Sequence, residues 1–293
     1  MEVLANIING ASLGSVYAII ALGYTMVYGI AKMLNFAHGD VIMVGAYICF
    51  CAVSYLGLPA LAGVLLSVVG CTVLGIVVER LAYKPLRNAP SLNVLITAIG
   101  VSYFLQNAAL IIMGSDPKSF SSIIALPALQ LFDGRLTISA TAVITILACV
   151  IIMVALTLFP TKTKLGKAMR ACSEDRDAAQ LMGINVNSTI SMVFAIGSGL
   201  AAIAGILMCS AYPTLMPTTG SMPGIKAFTA AVLGGIGSIP GAALGGVLLG
   251  IIEILARAYI STQLADAVVF AVLIVMLLIR PAGLLGKQVN EKV

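Results

Sequence analysis

Apolar runs long enough to cross about 30 Å of hydrocarbon recur along this sequence, at residues 7–31, 34–56, 59–83, 92–113, 137–159, 189–211 and 264–280. A further apolar stretch, 227–256, is interrupted by GGIGSIPGAALGG. The chain has too little polar surface for any solvent but lipid. It is 60% hydrophobic and 9% charged, with a mean hydropathy of +1.11, whereas an ordinary soluble domain carries about 25% charged residues. The fold expected is all-α, a polytopic transmembrane helical bundle of about eight segments forming a single unit over residues 1–293. The segment at 227–256 is expected to be broken or re-entrant.

The N-terminus carries Glu2 and no Lys or Arg before its first apolar run. It reads as a retained membrane helix rather than a cleaved signal peptide. The net charge of +5 is spread between apolar runs. That is a topology pattern, not the basic face of a nucleic-acid binder. Lys162, Lys164, Lys167, Arg170 and Arg176 put the segment 160–188 in the cytoplasm. Counting back, residues 114–136 lie outside, with Lys118 and Arg135 balanced by Asp116 and Asp133. Arg80, Lys84 and Arg87 lie inside, as do Lys32 and the NFAHGD loop, and the N-terminus is outside. Counting forward, the RPAGLLGK end, with Arg280 and Lys287, lies inside. Residues 227–256 must then begin and end outside, as two short spans or a re-entrant hairpin. Broken backbone at membrane depth needs protein or a water-filled cavity to satisfy it, and such breaks accompany transport sites. Two readings stand for Gly234, Gly235, Gly237, Pro240 and Gly241. They line a pathway as well as pack, or they serve packing alone, with Gly237, Gly241 and Gly245, then Gly246 and Gly250, as GxxxG faces.

Catalytic constellations are poorly represented. The single histidine, His38, rules out an HExxH metal site, and no GxSxG spacing is expected for the nucleophile elbow of a serine hydrolase. GGIGSIPG fails as a dinucleotide fingerprint because Pro240 holds the third glycine's place. Gly-Lys occurs only at 166–167 and 286–287, followed by Ala and Gln, so there is no Walker A loop. The six cysteines form no CxxC pair and read as small core residues. Asn35, His38, Gly39 and Asp40 form a polar cluster at a helix break near an interface, either capping freed backbone or gating a pathway. Glu79-Arg80 reads as an interface anchor. Glu253 and Arg257 have the spacing of a helical ion pair.

SEDRDAAQLMGIN, residues 173–185, stands apart from this apolar background. Ser173 is suited to cap a helix, and Glu174, Asp175 and Asp177 sit where the positive dipole end favours acids, with Arg176 among them. Gly183 is suited to end the helix. The helix so read spans 174–182, roughly 14 Å. Ala178, Leu181 and Met182 form one small apolar face. Such a helix is too short to fold alone and must dock on the bundle, the lipid surface or a cytoplasmic partner.

DAAQLMG resembles the cytoplasmic Glu-Ala-Ala-x-x-x-Gly motif of ABC-importer permeases, with Asp177, Ala178, Ala179 and Gly183 in place and Asp where Glu is usual. NGASLGSVYAIIALGYTMVYGIAKMLNFAHGD, GKAMRACSEDRDAAQLMGIN, FTAAVLGGIGSIPGAALGG and the terminal RPAGLLG are similar to the LivH-type permeases of branched-chain amino-acid ABC transporters. The likeness covers nearly the whole chain. It implies a permease subunit in a bacterial inner membrane and a second, LivM-like permease. It also implies two cytoplasmic ATPases that bind ATP and Mg, and an extracytoplasmic substrate-binding protein. No cofactor is implied on this chain. Residues 173–185 are implied to couple the ATPases to the membrane helices. The same group includes importers of urea and short-chain amides. An ion-coupled secondary transporter, using Glu253 or Asp40, is the rival of a different class.

Overall fold

The computed structural model describes residues 2–87, 89–124, 126–131 and 136–286. Asp133, Arg135 and the tail 287–293 lie outside the described residues. The chain is a helical bundle of α1 (Glu2–Ala31), α2 (His38–Phe50), α3 (Ala60–Val78), α4 (Ser91–Met113), α5 (Ala140–Lys162), α6 (Lys164–Glu174), α7 (Arg176–Leu181), α8 (Val186–Ala211), α9 (Ser221–Gly234), α10 (Ile239–Tyr259) and α11 (Ala265–Ile279). Short π-helical turns extend α2 to Tyr55 and α3 to Tyr83. Seven of the helices are long and apolar enough to cross a membrane, and α11 is a shorter apolar helix.

The position of each helix follows from its polarity around the axis. In α1 every residue from Ser12 to Val27 is buried; a helix apolar on all sides belongs at the centre. It packs against α5, α8, α9 and α10. Helices α3, α4 and α5 show rows of exposed Leu, Ile and Val and form the periphery, where lipid tails suit them.

Two antiparallel strand pairs mark one end of the bundle. Lys118–Ser119 pairs with Thr214–Leu215, and Leu129–Leu131 pairs with Leu136–Ile138. The α6–α7 segment, rich in Lys and Arg, marks the opposite, basic end.

The interruption expected in 227–256 is present. Gly235 (φ +104°) and Gly237 (φ +96°) turn the chain between α9 and α10, which pack as a hairpin. The glycines divide between two faces. Gly241 and Gly245 lie against Gly234 and Ala230 of α9, whereas Gly246 and Gly250 lie against Gly14 and Ala18 of α1. The end of the described chain folds back on this turn. The Leu284 and Leu285 amides donate to the Leu233 and Gly234 carbonyls, both at 2.9 Å, and so satisfy the free carbonyls at the end of α9.

Candidate functional site

At the basic end, Thr163 caps α6 by accepting the Gly166 amide at 2.9 Å. Met169 and Cys172 are the buried side of this amphipathic helix. Because α6 runs through Ser173 to Glu174, Ser173 is not the expected cap. Its hydroxyl instead donates to the Arg170 carbonyl at 2.7 Å. The cap is Asp175, which is extended and accepts the Asp177 and Ala178 amides at 2.9 and 3.0 Å. The single helix read over 174–182 is therefore the end of α6 plus a separate α7.

Gly183 ends α7 as expected, with φ +83°. The Gly183 amide donates to the Gln180 carbonyl and the Ile184 amide to the Ala179 carbonyl, both at 3.0 Å, which is the Schellman pattern. Ala179 faces inward. Ala178 is exposed, and Leu181 and Met182 are 89% and 83% exposed. The Arg176 guanidinium donates to the Ile30 and Ala31 carbonyls. The free C-terminal carbonyls of α1 favour a cation there, so α7 is tied to the end of the central helix. Arg176→Ala is expected to raise amide hydrogen exchange across 160–188 by about tenfold, the loss of roughly 1.5 kcal/mol from a hydrogen bond to a charged donor. Native-state exchange read by mass spectrometry checks this.

The link that follows α1 turns back into the bundle. Lys32 adopts φ +52°, and His38 packs on Gly23 and edge-to-face on Tyr24, ring centroids 4.7 Å apart. Gly23 lies eight residues before the end of α1, roughly 12 Å along the helix. Helix α2 therefore starts inside the bundle, packed against α1. Helix α9 starts beside it, since Gly39 sits against Gly220 and Gly224, where a Cβ would come within 2.7 Å of the Gly220 carbonyl oxygen. Two helices thus begin inside the bundle, at the starts of α2 and α9. The Gly235–Ser238 turn lies at the basic end, where Gly237 shares a recess with Pro160, Arg170 and Ser173.

The expected pathway residues separate accordingly. Asn35 is buried and accepts the Tyr83 hydroxyl at 2.7 Å. His38 is buried against α1. Gly234, Gly235 and Gly241 are packed, and Gly237 and Pro240 are exposed. Gly39 and Asp40 line a cavity of about 400 Å³ between α2, α4 and α9. Asp40 Oδ1 accepts Gln106 Nε2 at 2.9 Å, and the same nitrogen reaches the Ser102 and Ser221 hydroxyls at 3.3 and 3.2 Å.

Two further polar clusters hold the bundle. Glu79 is fully buried and bonded to Arg87 and Ser191; this corrects its reading as an interface anchor, which suits only the exposed Arg80. Glu253 forms the expected pair with Arg257. It also accepts Lys226 Nζ at 2.8 Å and the Tyr17 hydroxyl at 2.9 Å, and Lys226 reaches Asp266 at 2.6 Å. Sequence reading did not find Lys226, Tyr17, Gln106 or Ser221. The available signal was a lone cation or amide inside an apolar run.

The GxSxG spacing does occur, at Gly10–Gly14, but within α1 rather than on the strand-to-helix turn that a nucleophile elbow requires. His38, the sole histidine, packs on Gly23, well along the same helix.

A bundle of lipid-facing helices around a buried central helix, with a few buried polar clusters between helices, is the architecture of a multi-pass membrane protein. Residues 6–277 match the family described as branched-chain amino acid transport system / permease component, and the chain belongs to that family. LivH of Escherichia coli (strain K12), a high-affinity branched-chain amino acid transport system permease protein, is 45% identical over 99% of this chain and 97% of its own length. BraD of Pseudomonas aeruginosa, named likewise, is 44% identical over 99% of this chain and 98% of its own. Among solved structures, PsaBC from Streptococcus pneumoniae in complex with Fab shares the fold, with a TM-score of 0.50 at 13% identity over 94% of this chain and 91% of that one.

Proposed function

We propose that this chain is the membrane-spanning subunit of an ATP-driven ABC importer for branched-chain amino acids. Substrate moves by alternating access while ATP and Mg are bound and used on partner subunits. The observation that carries the reading is α7. It is a short helix, well capped at both ends, that holds Ala178, Leu181 and Met182 in the open while Arg176 ties it to α1. Single exposed apolar residues need no explanation, but a rigid helix end presenting an adjacent pair fits the groove of a soluble partner. The acids beside it disfavour an anionic lipid surface.

The Lys and Arg residues of 160–188 support a cytoplasmic reading of this end, which goes with an N-terminus outside and a C-terminus inside a bacterial inner membrane. A LivM-like second permease, two ATPases and an extracytoplasmic binding protein complete the assembly. When the ATPases close, α7 moves with them. Through Arg176 the movement reaches the end of α1 and the link 32–37, and hence the start of α2 at His38–Asp40. The names of the relatives support branched-chain amino acids as the substrate class over urea or amides.

The test is leucine uptake in proteoliposomes holding the four membrane and ATPase subunits, with binding protein added. Uptake is expected to need ATP, stop with vanadate and survive collapse of ion gradients. Uptake that ignores vanadate and follows a gradient overturns the reading. The double variant Leu181→Asp, Met182→Asp is expected to weaken ATPase capture by about 100-fold, since burying two such side chains is worth roughly 3 kcal/mol or more. Titration of the detergent-purified chain with the ATPase subunit measures this.

A further inference from the structure

Three acids are buried among the described residues: Asp40, Glu79 and Glu253. Glu79 is paired with Arg87, and Glu253 with Lys226 and Arg257. Asp40, 2% exposed, has no cationic partner among the described residues. A buried carboxylate is costly without a counter-charge. The start of α2 offsets part of this cost, but a helix end carries only about half a charge. Gln106 supplies a neutral hydrogen bond.

What Asp40 does have is space. The cavity of about 400 Å³ beside it is lined by Asp40, Ser102, Gln106 and Ser221 and by Phe36, Leu95, Ile99 and Ile225. The first group is polar and the second aliphatic or aromatic. Gly39 and Gly224 keep backbone rather than side chains at its base. The start of α9, which has no side-chain cap, borders the same space through Ser221 and offers partial positive charge.

Resting on the transport reading above, we propose that this recess is a transit site for a hydrophobic amino acid, with Asp40 binding the α-ammonium group. The aliphatic wall of Leu95, Ile99 and Ile225 receives the side chain, and the start of α9 faces the carboxylate. The ammonium is the missing counter-charge. Gln106 is a positioning residue: its amide holds one carboxylate oxygen, Oδ1.

The experiment uses the full transporter assembly and a diazirine analogue of leucine as photoprobe. Labelling is expected on the peptides that carry Leu95, Ile99 or Ile225. Two competitors divide the recognition. 3-Methylbutylamine keeps the ammonium and the branched chain but has no carboxylate; 4-methylpentanoate keeps the carboxylate and has no ammonium. The amine is expected to compete at a concentration about 10-fold lower than the acid. Asp40→Asn is expected to weaken labelling by about 30-fold or more, while Asp40→Glu retains most of it.

Equal competition by the two compounds, or full labelling of a well-folded Asp40→Asn protein, overturns the site. A protonated, neutral Asp40 gives that same overturning result, because the amine then finds no charge. If Asp40→Asn does not fold, the order of the competitors on the unmodified protein decides alone. Wild-type ATP-driven uptake by Asp40→Asn sinks the site and leaves the importer reading intact. Amine-competed labelling in a protein whose uptake follows an ion gradient does the reverse.

Discussion

Glu253→Ala is expected to lower the midpoint of thermal unfolding by about 10 °C. The carboxylate is fully buried and is the hub of three partners, on α1, α9 and α10. It accepts Lys226 at 2.8 Å and the Tyr17 hydroxyl at 2.9 Å, and it bonds Arg257. Removing it leaves Lys226, whose side chain is 5% exposed, with Asp266, which is 44% exposed, as its one remaining acid among the described residues. Breaking a buried pair in this way costs roughly 3–5 kcal/mol, because one charge remains without compensation. A chain of this size loses about 2–4 °C per kcal/mol. The six free cysteines, five of them buried, make a thiol-reactive dye a direct reporter of unfolding. Replacing the pair together, Glu253→Leu with Lys226→Met, is expected to recover part of the loss, since a well-packed apolar pair is often as stable as a buried ionic one. An Ala variant that melts with the parent protein would remove this cluster from the account of what joins α1, α9, α10 and α11.

Gly250→Leu is expected to leave little folded protein in detergent. The α1–α10 contact is a backbone approach. Gly10, Gly14 and Ala18 on α1 meet Gly246, Val247, Gly250 and Ile251 on α10, and a Cβ on Gly14 would come within 2.7 Å of the Gly246 oxygen and the Val247 Cα. At Gly250 the obstacle is again backbone, at Gly14 and Gly10, which cannot swing aside. Small residues permit such approaches in membranes, where association rests on packing rather than on hydrophobic burial. Overpacking by one methyl group costs about 1–3 kcal/mol, so Gly250→Ala is expected to be weakened and the leucine variant to separate the helices. Gly100 on α4 has open space at its Cβ position, and Gly100→Leu is the matched control. Equal monodisperse recovery of Gly250→Leu and Gly100→Leu on size-exclusion chromatography would contradict the packing argument.

Much of the architecture was legible because the membrane permits few solutions. Long apolar runs must become helices, since lipid offers no partner for a free amide or carbonyl. Gly235 and Gly237 were legible as a break, Gly183 as a helix stop, and Glu253 with Arg257 as a pair, because each depends on local geometry. The start of α7 was misplaced for a local reason as well. Ser173 and Asp175 are both good caps, and only the continuation of α6 to Glu174 decides that Asp175 is used.

The site was less legible. Asn35, His38, Gly39 and Asp40 read as one polar cluster, yet the fold gives Asn35 to Tyr83, His38 to Gly23 and Asp40 to Gln106 and a cavity. Periodicity reports which face of a helix is apolar but not the depth at which the helix begins. The return of 32–37 into the bundle and the start of α9 beside it depend on close backbone contacts between Gly39 and Gly220, 181 positions apart. The sequence alone determined the class of fold, the charged segment that stands outside it and the place of the α9–α10 turn, all through short-range chemistry and the demands of lipid. Only the tertiary structure decided which buried acid is left without a counter-charge, because pairing of charges across helices depends on how those helices are brought together.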